Sequence, residues 1–561
     1  MPRLRFIPAT LLLGGLVAAS APAGAQNLRQ SATSQAGMVS AAHPLATDAG
    51  VRILEMGGNA ADAAVATGFA IAVVEPTMNS IGGRNQILIR TPDGSFHGID
   101  GTTKAPDDYD PETAPRASYG YPVIGIPGAL GGLLKLHRDH GSLPLATVLA
   151  PAIDYAENGF RVLPGDAARQ ASGAEQALEF PGTAAAYYKP DGSPYAPGEI
   201  LRQPDYAWTL RAIAQGGREV FYEGMIGRRI ADDLAANGST VRYEAIRDYE
   251  ALDSRIVRGS YRGYDLIGLG VPAAGALTIQ ALQTLEAFEP ASMSEAEWFA
   301  LVGQSLGAAA PELRRLGSDS AAARVTSKAW ATEKAMELRA PAGVGFEGAE
   351  VSAHPAPSSD AESDGAAFEP GPDHQGHTTH LSVADADGMV VSLTQTLGPN
   401  MGSKVVTPGL GFLYASTLGG YLSSVGPGTR ARSNISPFMV AKDGEVLLVL
   451  GAAGGGMIPP AVVHAITRVI DFGEPLPVAL EEPRVAHASG GAFNAETSPG
   501  IGWTEQELSA MRALGLEIRE VPRSGAFGRV HGLQFDPVAR VWIGAADPDW
   551  EGSARGPRGR R

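Results

Sequence analysis

Thr378 and Thr379 open a segment, His380-Leu-Ser-Val-Ala-Asp-Ala-Asp-Gly-Met-Val-Val-Ser-Leu-Thr-Gln-Thr396, in which polar and apolar residues alternate around Asp385-Ala-Asp-Gly388. Alternation broken by Asp and Gly predicts a β-hairpin. Upstream, from Ala340 to His377, the chain turns to Pro, Gly, Ala, Ser and acidic residues with almost no large aliphatics, the composition of a disordered linker. Cutting the His377–Thr378 bond leaves Thr378 with both a hydroxyl and a free α-amine, whose ordinary pKa is about 7.7–8.0. One residue then supplies nucleophile and general base, and a loose tether lets the severed end leave the pocket. If Asp385 pairs with Met389 across a three-residue loop, Thr378 falls opposite Thr396 on one face, where the Thr396 hydroxyl can orient it; a four-residue loop puts Gln395 there instead. The alternative is that Thr-Thr simply begins a strand, which threonine favours.

A second candidate is Gly451-Ala-Ala-Gly-Gly-Gly456, after the apolar run Val446–Leu450 and before a helix opening near Pro459-Pro460. Its backbone N–H groups can line an oxyanion hole, or the glycines can serve only a tight strand-to-helix turn. Three other patterns carry less. Gly343-Val-Gly345-Phe-Glu-Gly348 matches a dinucleotide fingerprint, but lies in the linker without a strand before it or a helix after it. Gly303-Gln-Ser305-Leu-Gly307 resembles a nucleophile elbow, yet Glu295–Val302 before it reads as helix rather than strand. His137-Arg-Asp-His140 has helical spacing for two ligands and no third nearby, so no metal site is expected.

The elements that must position these residues read as layers of helix on sheet. Thr47 opens a helix through Met56, stopped by Gly57-Gly58, and a second, Ala60–Val74, ends before Pro76. Gln86–Arg90 and Phe96–Asp100 flank the turn Thr91-Pro-Asp-Gly94 as paired strands, and residues 143–160 form a helix stopped by Gly159. Further helices run from about 207 to 339, interrupted by a strand, Tyr264–Leu269, and the basic Arg555–Arg561 tail is expected to fray.

Composition narrows the function classes. The 561 residues are 44% hydrophobic, as in a folded globular protein, and the net charge of −16 argues against nucleic acid as the partner. With no cysteine there are no disulfides, thiolate metal sites or thiol nucleophiles. Glycine is abundant, at 71 residues. Met1-Pro-Arg-Leu-Arg5, an apolar run Phe6–Ala19 and Ala23-Gly24-Ala25 read as a secretory leader, so residues 1–25 are expected to be removed and the rest exported, periplasmic or extracellular, without a membrane span.

Several motifs in order carry a resemblance: Gly37-Met-Val-Ser-Ala-Ala-His-Pro-Leu45, Gly57-Gly-Asn-Ala-Ala-Asp-Ala-Ala64, Val74-Glu-Pro76, Ile81-Gly-Gly83, Gly141-Ser-Leu-Pro-Leu145, Thr378-Thr-His380, Ser392-Leu-Thr-Gln-Thr396 and Gly454-Gly455. The chain resembles the γ-glutamyltransferase (γ-glutamyl transpeptidase) family of N-terminal-nucleophile hydrolases across nearly its whole length. The resemblance implies a four-layer αββα sandwich made as a precursor, with Thr378 cleaving after His377 to leave a large chain, 26–377, and a small one, 378–561. It implies that Thr378 is the nucleophile, that Thr396 supports it, that Gly454 and Gly455 bind the oxyanion, and that Ser433 and Asn434 line the acyl pocket. No cofactor is implied. The partners are an amide or peptide substrate and an acceptor, either water or an amino acid or dipeptide.

Three positions depart from the pattern. Thr102 replaces the arginine that grips the glutamyl α-carboxylate, Gly398 replaces an asparagine, and Gly419-Gly420 replaces the acidic pair that holds the α-amine. Losing one charge-assisted contact costs about 1.5–3 kcal/mol, so glutamyl affinity is expected to suffer. Arg84, standing where the family has glycine, or Lys104 can supply a cation from another direction. The readings to separate are a γ-glutamyl (glutathione-type) hydrolase or transferase, an acylase acting on another amide, and an inactive exported binding paralogue.

Overall fold

The computed structural model describes residues 30–558, except 316–318, 340–376, 421, 423–424, 489–490 and 524–526. The expected leader, the linker up to residue 376 and Gly343–Gly348 lie outside the described residues.

Two antiparallel sheets organise the chain. The first runs, in spatial order, β20 (Ser553–Arg555), β2 (Gly37–Ala41), β10 (His377–Asp385), β11 (Val390–Gly398), β3 (Arg84–Arg90), β4 (Phe96–Gly101) and β7 (Leu252–Asp253). The second runs β1 (Ser31–Ser34), β19 (Val541–Ala546), β18 (Arg529–Asp536), β13 (Glu445–Leu450), β12 (Phe438–Lys442), β9 (Tyr264–Leu269) and β8 (Ile256–Tyr261), with β14 (Ala452–Ala453) also on β18. Short ladders join β5 (Phe160–Arg161) to β6 (Ile200–Leu201), and β15 (Val485–His487) to β16 (Phe493–Glu496) and β17 (Ile518–Val521).

Period-2 alternation distributes the side chains among three cores. Leu381, Val383, Val391, Leu393, Ile87 and Ile89 face outward from the first sheet and pack under the helices Pro44–Glu55, Ala60–Val74 and Ala129–His140. Their neighbours Leu88, Ala384 and Val390 point the other way, onto Ile267, Met439, Val449 and Leu533 of the second sheet. Beyond that sheet, Leu266, Phe438, Val440 and Leu450 pack under the helices Gly275–Leu285, Glu295–Arg315 and Ile458–Asp471. Helix, sheet, sheet and helix make the expected four-layer αββα sandwich.

The helix Ala60–Val74 is buried on every side, with a capping box between Asn59 and Asp62 at its start. The helix before it begins at Pro44 rather than Thr47, because the His43 imidazole caps it by accepting from the Leu45 N–H at 3.1 Å. Ser305 sits inside the helix Glu295–Arg315 and donates to the Val302 carbonyl, which disposes of the elbow geometry. At the start of the basic tail one expectation is corrected: Arg555 ends the strand Ser553–Arg555, which pairs with β2, and reaches Asp48, while residues 559–561 lie outside the described residues. No helix among the described residues is long and apolar enough to cross a membrane.

Candidate active site

The hairpin β10–β11 closes over Ala386-Asp387-Gly388, with the Asp385 N–H donating to the Met389 carbonyl at 3.1 Å and Gly388 at φ 91°. This three-residue loop sets Thr378 opposite Thr396, and β3 then sets Arg84 opposite Thr396. Directly opposed residues point to the same side, so Thr378, Thr396 and Arg84 form a row on the face turned to the second sheet. Two strand spacings separate the ends of the row, roughly 10 Å.

Thr396 is the hub of this row. Its hydroxyl accepts from the Thr378 hydroxyl at 3.0 Å and from the Gly398 N–H at 2.9 Å, and donates to the His377 carbonyl at 2.6 Å. The ladder shifts register between His377 and Thr378, so the irregularity falls on the bond that joins them. Both threonines are buried.

Further along this face the side chains stay polar and find partners across the sandwich. The His380 ring bridges the Thr394 and Ser382 hydroxyls at 2.7 and 3.0 Å, Ser382 donates to the His531 carbonyl at 3.0 Å, and Ser392 donates to the Leu450 carbonyl at 2.9 Å. Burial, then the nearby His531, holds the His380 imidazole well below the usual histidine range, so it is neutral. Gly451 makes room for it: a Cβ there would stand 2.2 Å from the His380 ring.

The glycine turn lies at the same end, where β10 packs against β14. Gly454 and Gly455 have φ of 137° and 54°, backbone that glycine adopts freely, and Gly455–Met457 winds into the helix Ile458–Asp471. Half-buried Ser433 and Asn434 belong to the loop before β12, where the Ser433 N–H donates to the Pro272 carbonyl at 3.0 Å. A Cβ on Gly456 would stand 3.9 Å from Asn434 Nδ2, so this loop and the glycine turn face each other.

The substituted positions have different fates. The Thr102 hydroxyl is buried and accepts from Gln86 Nε2 at 2.8 Å, while the same nitrogen holds Asp100 Oδ1 at 2.7 Å. Arg430 closes this knot, donating to the Asp100 carbonyl at 2.9 Å and the Tyr249 hydroxyl at 3.2 Å. Lys104 is matched by Asp107 at 2.8 Å. Gly420 is exposed with φ 95°, and a Cβ there would have nothing within 4 Å. Arg84 is buried and donates to the Ser416 carbonyl at 3.2 Å, reaching the stretch that ends in Gly419-Gly420.

Sequence reading passed over a polar group on the opposite face. Glu75, at the C-terminus of the helix Ala60–Val74, is buried beneath Thr379, and burial, opposed by the Arg169 guanidinium, pushes its carboxyl up to about 7. The available signal was an acid directly after a largely apolar helix, which reads as nothing more than a helix end.

Comparison with known proteins gives a consistent answer. Residues 46–556 match the family described as Gamma-glutamyltranspeptidase. The chain is 34% identical over 546 residues to an Acylase ACY 1 proenzyme of Pseudomonas sp. (strain V22), covering 91% of each. It is 30% identical over 553 residues to a Glutathione hydrolase proenzyme of Escherichia coli (strain K12), covering 91% of this chain and 90% of the other. Among solved structures, a cephalosporin acylase from Bacillus halodurans superposes with a TM-score of 0.82 at 27% identity, over 98% of this chain and all of that one. A match spanning almost the whole chain joins the αββα sandwich and its threonine-paired hairpin in one conclusion: the chain belongs to the γ-glutamyltranspeptidase family.

Proposed function

We propose that the chain is an exported, self-processing amide hydrolase or acyltransferase that works through a threonyl acyl-enzyme. The carrying observation is the linkage Thr378 Oγ1–Thr396 Oγ1–His377 O, with steps of 3.0 and 2.6 Å. In the precursor, Thr378 Oγ attacks the His377 carbonyl carbon, whose oxygen already accepts from Thr396. The C–N bond breaks, the nitrogen leaves as the α-amine of Thr378, and water hydrolyses the resulting ester. The products are a large chain of 26–377 and a small chain of 378–561. In the mature enzyme the α-amine takes the hydroxyl proton as Thr378 attacks a substrate amide, then passes it to the leaving amine. Water or an amine acceptor takes the acyl group. The N–H groups of Gly454 and Gly455 are the oxyanion donors, and Ser433 and Asn434 line the acyl side.

An acyl group other than γ-glutamyl is the better supported substrate. Thr102 is tied into the Gln86–Asp100 knot, and Gly420 offers no side chain to an α-amine. Arg84, in the row with Thr378, is the cation we assign to the acyl pocket. The acylase names among the relatives agree with this, and the glutathione hydrolase names keep the glutamyl reading as the alternative. Intact mass measurement of the purified protein is expected to find a fragment beginning at Thr378, and Thr378→Ala is expected to stay one chain. An uncut wild-type chain would reject the hydrolase reading in favour of a binding protein. Release of p-nitroaniline from γ-glutamyl and other acyl anilides then separates the two substrate readings.

A further inference from the structure

Behind the nucleophile, on the helix-facing side of the first sheet, Thr379 and Gln395 are directly opposed, one residue from the Thr378–Thr396 pair. Glu75 serves both. Its carboxyl lies within electrostatic reach of the Thr379 hydroxyl, which is fully buried and has no well-aligned hydrogen bond. Its Oε2 is 3.5 Å from Asn79 Nδ2, and Asn79 Oδ1 accepts from Gln395 Nε2 at 2.6 Å. Two further donors reach it, Trp550 Nε1 at 3.4 Å and Arg169 Nη2 at 3.8 Å. Trp550 is itself held between the guanidinium groups of Arg169 and Arg529, 4.3 and 3.7 Å from its ring. Arg529 pairs along β18 with Ala453, the residue before Gly454.

We propose that Glu75 is a positioning residue for the nucleophile, its ionised carboxylate holding Thr379 directly and Gln395 through Asn79, so that the Thr378–Thr396 pair is set for attack. The inference rests on the self-cleavage reading above. A carboxylate can accept from Asn79, Trp550, Arg169 and the Thr379 hydroxyl together, whereas a protonated acid gives up one acceptor oxygen and can reverse the Thr379 contact. Burial brings the change of state near neutral pH. Charged groups acting on Glu75 are Arg169 and Asp166 on the helix Pro164–Ala177 and Arg529 on β18, and behind these arginines stand Asp549 and Glu551 of the C-terminal segment.

Self-cleavage isolates the effect, because in the precursor the α-amine of Thr378 is still an amide and cannot titrate. The experiment follows appearance of the fragment beginning at Thr378 by mass spectrometry, from pH 5.5 to 8.5, in freshly purified precursor. Wild type is expected to cleave at least tenfold more slowly at pH 5.5 than at pH 8, and Glu75→Asp to keep that dependence. Glu75→Gln is expected to vary less than twofold across the range, near the slow wild-type limit. Thr379→Val, which leaves the carboxyl in place, is expected to flatten the profile likewise and serves if Glu75→Gln fails to fold. A profile in either flattened variant that follows wild type overturns the proposal, as does a wild type with no acidic fall. A wild type uncut at every pH overturns the self-cleavage reading and this inference with it.

Discussion

Thr396 donates to the carbonyl that Thr378 is proposed to attack, while two donors, the Thr378 hydroxyl and the Gly398 N–H, point at its oxygen. Donation to a developing oxyanion is typically worth about 2.7–4 kcal/mol. Thr396→Val, which keeps the shape and loses the hydroxyl, is therefore expected to slow self-cleavage about 10²-fold or more, and Thr396→Ser to restore most of it, both followed by time-resolved mass measurement. Arg84 makes a different prediction. If its cation serves the acyl pocket, Arg84→Ala raises KM for acyl anilides that carry a carboxylate by about tenfold or more, the scale of a lost charge-assisted contact. Neutral acyl groups are then affected little, and equal losses on both substrate types would assign Arg84 to structure alone.

Elements explain which expectations held. The helix Ala60–Val74 was legible to the residue because its apolar run, interrupted only by Asp62 and Thr67, stops before Pro76. Its predecessor started early because a histidine ring did the capping, a role that residue type does not advertise. Alternation alone left Thr378 opposite either Thr396 or Gln395, and the three-residue loop, with Gly388 in left-handed backbone, decides for Thr396. Strand β20 was not legible, since its partner β2 lies more than 500 residues away in sequence and nothing local marks a basic tail as a strand. Glu75 was missed for the same reason: its neighbours Asn79, Arg169, Thr379 and Trp550 come from four separated segments.

Two predictions belong to this scale. Gly451→Ala drives a methyl into the His380 ring, so overpacking is expected to cost about 1–3 kcal/mol in denaturant titration. Glu75 binds its proton more tightly in the folded state, near pH 7, than its ordinary 4.5. Its contribution to stability is therefore fully present below about pH 4.5 and is lost as pH rises through 7. Relative to Glu75→Gln, wild-type stability is expected to fall over that interval by up to roughly 3 kcal/mol, at about 1.36 kcal/mol per pKa unit. A pH-independent difference between the two would place the Glu75 carboxyl outside this linkage.

At the scale of the molecule, the first sheet interleaves the two sides of the proposed cut. Strands β20, β10 and β11 come from beyond His377, while β2, β3, β4 and β7 come from before it, and β10 lies between β2 and β11. Separating the fragments would strip the β2-facing edge of β10 and the β3-facing edge of β11, and open the outer and inner cores together. The cleaved fragments are accordingly expected to co-elute in size-exclusion chromatography without denaturant and to part only on unfolding. Fragments expressed separately are expected to be insoluble or to lack activity until refolded together.

That interleaving gives the cut a meaning beyond activation. Thr378 meets Thr396 only when β10 and β11 pair in the right register, and β11 is held in the sheet by β3, about 300 residues earlier in the chain. A misregistered precursor, slipped by one residue, turns the threonine hydroxyl to the helix side and cannot reach the His377 carbonyl through Thr396. The proposed self-cleavage would in this sense be a quality stamp: a molecule bearing a free Thr378 amine would already have passed its own test of correct assembly.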